Sequence, residues 1–277
     1  MAQLLSPRGV RLRGIRQPIW PVVDITHPIN RGLVGYWQLD GQGFGLVPDY
    51  SGFGNNGTPN NISSIRDSHH GGNAFSFNGT SGNVVIPSNA AILGDNARTF
   101  AAWIYTTTIS TATLRAIFSY GTASPPPNNF FVIYNNVTNA GDFYVSGGAN
   151  DIRTSAGVIS VNTWYHCAIV YRGGGIASAN LFFYLNGTSQ STTTVGGAGA
   201  ALNTASTAVH IGDDLTVAGR NYSGAIEGAR WYNRALDAVE VQQLFAEPYA
   251  GIFDASASIV PGGVIAGLPL MGQIWLA

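Results

Sequence analysis

Cleaving a glycosidic bond takes two carboxyl groups about 5–9 Å apart, so the glutamates are the first residues to place. They are Glu227, Glu240 and Glu247, and no two of them fall on one strand at a spacing that would face a common bond. Catalysis is therefore not expected. Cys167 sits inside the strand-like run Trp164–Tyr171. It reads as a buried small hydrophobe, because a reactive thiol needs a base and an electropositive, partly exposed setting. His69 and His70 are adjacent, so in a strand their side chains diverge, and no third metal ligand is apparent. A solvated loop is the expectation for them. His166 alternates with Cys167 and reads as a packing residue. Gly52-Phe53-Gly54-Asn55-Asn56-Gly57 has the spacing of a dinucleotide loop. That motif needs a helix opening at its third glycine, and Thr58-Pro59-Asn60-Asn61 does not open one. The glycines and asparagines here serve a turn with positive φ.

These side chains must be carried by strands. Charged residues make up 10% of the 277 residues, lysine is absent, and there are 36 glycines. Average globular chains carry about 25% charge. The remainder is rich in Asn, Ser and Thr, a composition suited to many short strands joined by tight turns. A net charge of −1 gives no overall pull on nucleic acid or membrane. A single cysteine rules out a disulfide within the chain. No run of eighteen apolar residues exists, so no transmembrane helix is expected. Arginines interrupt any apolar stretch at the N-terminus, so no secretory signal is expected.

Period-2 alternation or short apolar runs predict strands at Leu33–Leu39, Ala74–Phe77, Asn83–Ile86, Thr99–Thr106, Arg115–Tyr120 and Phe130–Tyr134. The series continues at Asp142–Ser146, Trp164–Tyr171, Leu181–Leu185, Thr188–Val195, Ala208–Gly212 and Gly224–Trp231. Asn186-Gly187 is the strongest hairpin signal. Asp237–Phe245 predicts one short helix, with Val239, Val241, Leu244 and Phe245 as its apolar side. The chain is thus all-β: a two-sheet antiparallel jelly roll with one short C-terminal helix. Trp37, Phe75, Phe77, Trp103, Phe118, Trp164, Phe183 and Trp231 are expected between the sheets. Residues 1–30 read as an extended N-terminal arm, 31–248 as the jelly-roll domain, and 249–277 as an extended apolar C-terminal arm.

Ordered blocks across this domain carry a family resemblance. Gly35-Tyr36-Trp37-Gln38-Leu39-Asp40, the turn Asp49–Gly57, Ala74–Gly79, Thr99–Ile104, Thr163–Ala168, Phe183–Gly187 and Ile226–Leu236 resemble successive strands and turns of laminin G-like domains. Those domains have the concanavalin A-like jelly-roll fold. Fold does not fix function, since the family spans lectins, glycosidases, adhesion modules and phage virion proteins. Jelly-roll glucanases typically carry Glu-x-Asp-x-x-Glu on one strand, and this chain does not. The resemblance also implies a structural calcium ion, because counterparts of Asp40, Asp49, Asn56 and Glu227 often surround one.

The layout is closest to phage virion proteins with this domain, through the opening His27–Gly35 and the close Glu247-Pro248-Tyr249. It implies a non-enzymatic structural or decoration protein, localised to the virion and attached to neighbouring subunits and to copies of itself by its arms. Arg8, Arg11, Arg13, Arg16 and Trp20 on one arm, with Val264, Ile265, Ile274 and Trp275 on the other, are the expected partner-binding residues. Acidic protein surfaces suit the arginines better than phosphate does. No nucleic-acid or membrane partner is expected. The alternative is a carbohydrate-binding, lectin-like module, with a glycoside hydrolase third. Aromatics exposed around one groove would favour the lectin.

Overall fold

A computed structural model of the chain describes residues 17–18, 21–41, 45–65, 68–109, 113–122, 130–135, 142–147, 150–196 and 201–254. Its strands run in chain order as β1 (Pro21–Val23), β2 (Leu33–Trp37), β3 (Thr58–Asn60), β4 (Ser63–Ile65), β5 (Ala74–Asn78) and β6 (Asn83–Ile86). Then come β7 (Arg98–Thr106), β8 (Arg115–Gly121), β9 (Phe130–Asn135), β10 (Phe143–Ser146), β11 (Asn150–Thr154) and β12 (Trp164–Tyr171). The series ends with β13 (Leu181–Leu185), β14 (Thr188–Gln190), β15 (Thr192–Gly196), β16 (Val209–Ile211), β17 (Ser223–Tyr232), the helix α1 (Ala238–Ala246) and β18 (Ile252–Asp254).

Two antiparallel sheets face each other. The first has the order β15-β11-β10-β9-β8-β16-β6-β3. The second has the order β14-β13-β12-β7-β17-β5-β4, and β2 also pairs with β17. Alternation sends Phe100, Ala102 and Ile104 of β7, and Phe131 and Ile133 of β9, into one continuous core between the sheets. Trp37, Phe75, Phe77, Phe118, Phe183 and Trp231 join them there, as expected. The indole nitrogens of Trp37 and Trp231 donate to the carbonyls of Asn55 and Ala90, so neither is buried unpaired.

Trp103 and Trp164 depart from expectation. Trp103 is buried, at 5% exposure, but its cross-strand partners are His166 and Glu227. Neighbours across a pair share a face, and Ile104 and Cys167 already occupy the core side. Trp103 and Trp164 therefore lie on the outer face of the second sheet. The thiol of Cys167 is in the core, and burial pushes its pKa up to about 12.

A second, smaller apolar layer covers part of that outer face. It contains Ile29, Leu33, Tyr36, Ala168, Val170, Tyr232, Val241 and Leu244. α1 supplies the last two. Asp237 caps the helix by accepting from the Glu240 amide, and Glu240 returns a bond to the Asp237 amide. Val239, expected on the apolar side, is 75% exposed. Among the described residues no helix is long and apolar enough to cross a membrane.

Asn186 and Gly187 form the predicted hairpin turn between β13 and β14 with φ of 48° and 75°. The predicted strand Thr188–Val195 is two strands that turn at Ser191 and enter different sheets. Near the chain ends, β1 pairs antiparallel with β18. Asn30 Nδ2 donates to the carbonyls of Asp24 and Gly251. The described parts of the two flanks, 21–30 and 249–254, thus pack on each other and on their own body. Arg8, Arg11, Arg13, Arg16, Trp20, Val264, Ile265, Ile274 and Trp275 lie outside the described residues.

Candidate functional site

The two outer faces differ in chemistry. On the first sheet, register aligns Ala116, Tyr134, Tyr144, Arg153 and Thr193 in one row across β8, β9, β10, β11 and β15. A second row holds His210, Ser119, Val132, Ser146, Asp151 and Val195. The intervening residues Ile133, Phe143, Val145 and Ile152 point into the core, so these rows must face outward. Tyr134 and Tyr144 lie with ring centroids 5.6 Å apart. The Arg153 guanidinium stands 5.8 Å from the Tyr144 ring centre. Tyr144 is half-buried, and burial followed by its hydrogen bond to Asp151 raises its pKa.

Tyr134 is fully buried and fixed. Its hydroxyl donates to Asp214 Oδ2 at 2.6 Å and accepts from Arg220 Nη1 at 2.9 Å. Arg220 also reaches Asp214 Oδ2 at 3.1 Å. Asp214 Oδ1 accepts from the amide and hydroxyl of Thr216. Burial, then the neighbouring Asp214, pushes the Tyr134 phenol far up, so it remains a hydrogen-bond donor. Beside it, Asp213 accepts from Asn83 Nδ2 at 2.9 Å and pairs with His210 Nδ1 at 2.7 Å. A rigid wall formed by the turn after β16 therefore stands next to a partly exposed aromatic ring flanked by Arg153 and Asp151. Such a face can stack on the apolar side of a ring and hydrogen-bond its polar edge.

The outer face of the second sheet carries a closed polar cluster. Glu227 is buried and accepts from His70 Nδ1 at 2.7 Å, the His69 amide at 3.0 Å and the Tyr249 hydroxyl at 3.2 Å. Three residues on, Arg230 donates to the carbonyls of Pro248 and Ala250. Residues three apart would normally alternate faces. A bulge between Glu227 and Arg230, with Gly228 at φ 62°, puts both on the outer side. His166 is also buried there, and desolvation, followed by the positive charge of Arg230, lowers its pKa to about 3. His69 and His70 are thus no solvated loop: His69 stacks on Trp103 at 4.0 Å, and His70 is buried and hydrogen-bonded to Glu227.

The expected calcium ligands do not converge. Asp49 accepts from the amides of Tyr36, Ser51 and Asn55 and from the Ser51 hydroxyl. Asn56 Oδ1 accepts from the Asp49 amide. Oxygens engaged by donors in this way close a turn and do not present a cage to a cation. Asp40 pairs with Gln38, and Glu227 is occupied as described. Among the described residues, no group of three or more His, Cys, Asp or Glu side chains is placed to hold a metal. Tyr144, Arg153, Asp151 and Arg220 did not stand out in the sequence. The alternation Phe143-Tyr144-Val145-Ser146 was the available signal, since it turns Tyr144 away from the core.

The profile of the concanavalin A-like lectin/glucanases superfamily matches residues 78–242, more than half the chain. No curated protein sequence matches it. Among solved structures, it is similar to domain 4 of AbnA, a GH43 extracellular arabinanase from Geobacillus stearothermophilus, in complex with arabinotriose. The TM-score is 0.56 at 18% identity, covering 76% of this chain and 97% of that one. It is similar to the binding domain of Paraclostridial Mosquitocidal Protein 1, with a TM-score of 0.61 at 16% identity, covering 80% of this chain and 53% of that one. A Trypanosoma rangeli sialidase with the inhibitor DANA gives a TM-score of 0.53 at 15% identity, covering 76% of this chain and 32% of that one. The chain thus spans about half of the second structure and a third of the third. At these identities the likeness is one of fold.

Proposed function

Since the chain belongs to the concanavalin A-like lectin/glucanases superfamily, we propose that it is a non-enzymatic carbohydrate-binding module whose glycan lies on the outer face of the first sheet. The observation that carries this reading is the row Tyr134–Tyr144–Arg153, with a half-buried aromatic ring between a fixed Tyr-Asp-Arg wall and a guanidinium. An aromatic face buries the C–H surface of a sugar, while Arg153 and Asp151 meet its hydroxyls. Asp214 is committed to Tyr134, Arg220 and Thr216, and Asp151 bonds Tyr144 with one oxygen and keeps Oδ1 unpaired, which suits binding better than proton transfer. A likeness to a domain solved with arabinotriose makes that trisaccharide the first probe. Calorimetric titration with arabinotriose and a panel of neutral and acidic oligosaccharides tests the reading. Binding that falls at least tenfold in Tyr144→Ala supports it. Binding untouched by Tyr144→Ala and Arg153→Ala overturns it.

A second reading is a structural role on a phage particle, with attachment through the arms. It is favoured by the pairing of β1 with β18, which joins both flanks to the body at one place and leaves Val22 and Phe253 exposed. On this reading the arginines of residues 1–16 and the apolar residues beyond 254 meet neighbouring subunits. Removal of residues 1–16 should leave the body folded and abolish co-sedimentation with particles. Normal incorporation of the truncated chain would end this reading.

A further inference from the structure

The second sheet carries an aromatic group that neither reading uses. Trp164 and Tyr105 are cross-strand partners on its outer face, one row beyond Trp103. Both are partly exposed. Their ring centroids are 5.4 Å apart and the planes meet at 48°, so the two rings pack on each other as a tilted pair. His69, also partly exposed, stands 6.3 Å from Trp164 and lies flat on the Trp103 indole. Immediately behind His69, Trp103 Nε1 and His70 Nε2 have no hydrogen-bond partner. Both residues are more than nine-tenths buried. His166 Nδ1, on the other side of Trp103, is also unpartnered. Buried polar atoms are nearly always paired, so an unpaired indole nitrogen with two unpaired imidazole nitrogens beside it marks a place that a further polar group would complete.

We propose that Tyr105, Trp164 and His69 form a second glycan site, independent of the first and on the opposite side of the sandwich. The ligand class is a neutral pyranose or short neutral oligosaccharide. Its apolar face would stack on the exposed surface of the Trp164–Tyr105 pair, and a hydroxyl would approach the orphan atoms past the edge of His69. The rim favours a sugar over an apolar peptide. It includes Thr107, Asn162 and Ser223, which supply hydroxyl and amide groups, with Tyr105 donating to Asn162 Oδ1 and Thr107 bonding Ser223. None of these rim residues is charged, so an acidic sugar finds no cation among them.

A chain with a sugar site on each outer face can bridge two glycans. The inference rests on the carbohydrate-binding reading, and the experiment separates the two. Calorimetry with neutral oligosaccharides on the full chain should give two ligands per chain. Trp164→Ala should remove one and leave the other at unchanged affinity, whereas Tyr144→Ala should remove the complementary one. The double variant should bind none. Trp164→Phe, which keeps an aromatic face, should retain the second site with affinity weakened less than tenfold, and circular dichroism should show each variant folded. One ligand per chain that is lost in Tyr144→Ala and indifferent to Trp164→Ala would overturn this inference and leave the first site standing. Two ligands indifferent to Tyr144→Ala but halved by Trp164→Ala would do the reverse. Capture of an apolar peptide in place of any sugar at Trp164 would also overturn the second site.

Discussion

The two outer faces of this sandwich use polar residues for opposite ends. On the first sheet Tyr144 and Arg153 remain partly open, beside a wall whose hydrogen bonds are complete. On the second, Glu227, His70 and Arg230 are sealed beneath the segment that follows α1, which contributes Tyr249. The bulge at Gly228 makes the difference. Without it Glu227 and Arg230 could not both reach the chain that returns over the sheet. A buried charge is tolerated only where it is paired and hydrogen-bonded, and Glu227 with three donors and Arg230 with two carbonyls meet that condition, so these two residues are structural. An aromatic left half-open on the first face does little for folding and is free to serve a ligand. Substitutions should therefore divide into those that cost stability and those that cost binding.

The largest effect is expected at the sealed cluster. Glu227→Ala would leave His70, the His69 amide and Tyr249 without their acceptor, and each buried donor left unsatisfied costs about 1–3 kcal/mol. Trp103→Ala should cost a similar amount, about 3–5 kcal/mol, as a large-to-small change in a closed layer. Urea unfolding monitored by fluorescence measures both. A loss below about 1 kcal/mol in Glu227→Ala would mean that the cluster does not fasten the returning chain, and the contrast between the faces would fail.

Acid should reveal the same contrast. His166 is held near a pKa of about 3 in the folded chain, against about 6.5 in an unfolded one. Between those values the unfolded state takes up a proton that the folded state refuses. Stability is therefore highest above pH 6.5 and falls as pH drops, by up to about 1.4 kcal/mol per pH unit. His166→Asn should flatten the melting temperature between about pH 6.5 and pH 4.5 relative to the parent. Tyr144→Ala should leave the slope unchanged. A smaller effect, about 1 kcal/mol, is expected for Asp237→Ala, which removes the cap of α1. It should show as a lower urea midpoint without loss of glycan binding.

Much of this was legible in the chain. Alternation located Thr99–Thr106, Trp164–Tyr171 and Gly224–Trp231 as strands, and Asn186-Gly187 fixed a hairpin, because local sterics decide both. Trp103 is buried as expected but on the other face, because alternation names two faces and cannot say which is the inside. Ala102 and Ile104 are the core residues there, and an outer aromatic looked like a core anchor. The pairing of His70 with Glu227 spans 157 residues, and no local pattern carries such a contact. The same holds for Tyr134 with Asp214. Asp49 was read both as a turn former and, through the family resemblance, as a calcium ligand. The turn accounts for its oxygens, since they accept from donors of the same turn and of β2.

The smallest expected change is also the most discriminating. Tyr144→Phe keeps the ring against Tyr134 and Arg153 and removes only the hydroxyl beside Asp151. A single half-buried hydroxyl contributes about 1 kcal/mol or less to stability, so the unfolding curve should nearly superimpose on the parent. Binding should then report how the face works. If stacking carries the affinity, Tyr144→Phe should bind within about threefold of the parent, under 0.7 kcal/mol, whereas Tyr144→Ala loses at least tenfold. If the hydroxyl and Asp151 together read a sugar edge, Tyr144→Phe and Asp151→Asn should lose affinity alike, and in combination no more than either alone. Equal, additive losses would mean that Asp151 meets the ligand by itself. No loss in Tyr144→Ala would move the glycan off this face and leave the two outer surfaces without the division of labour argued here.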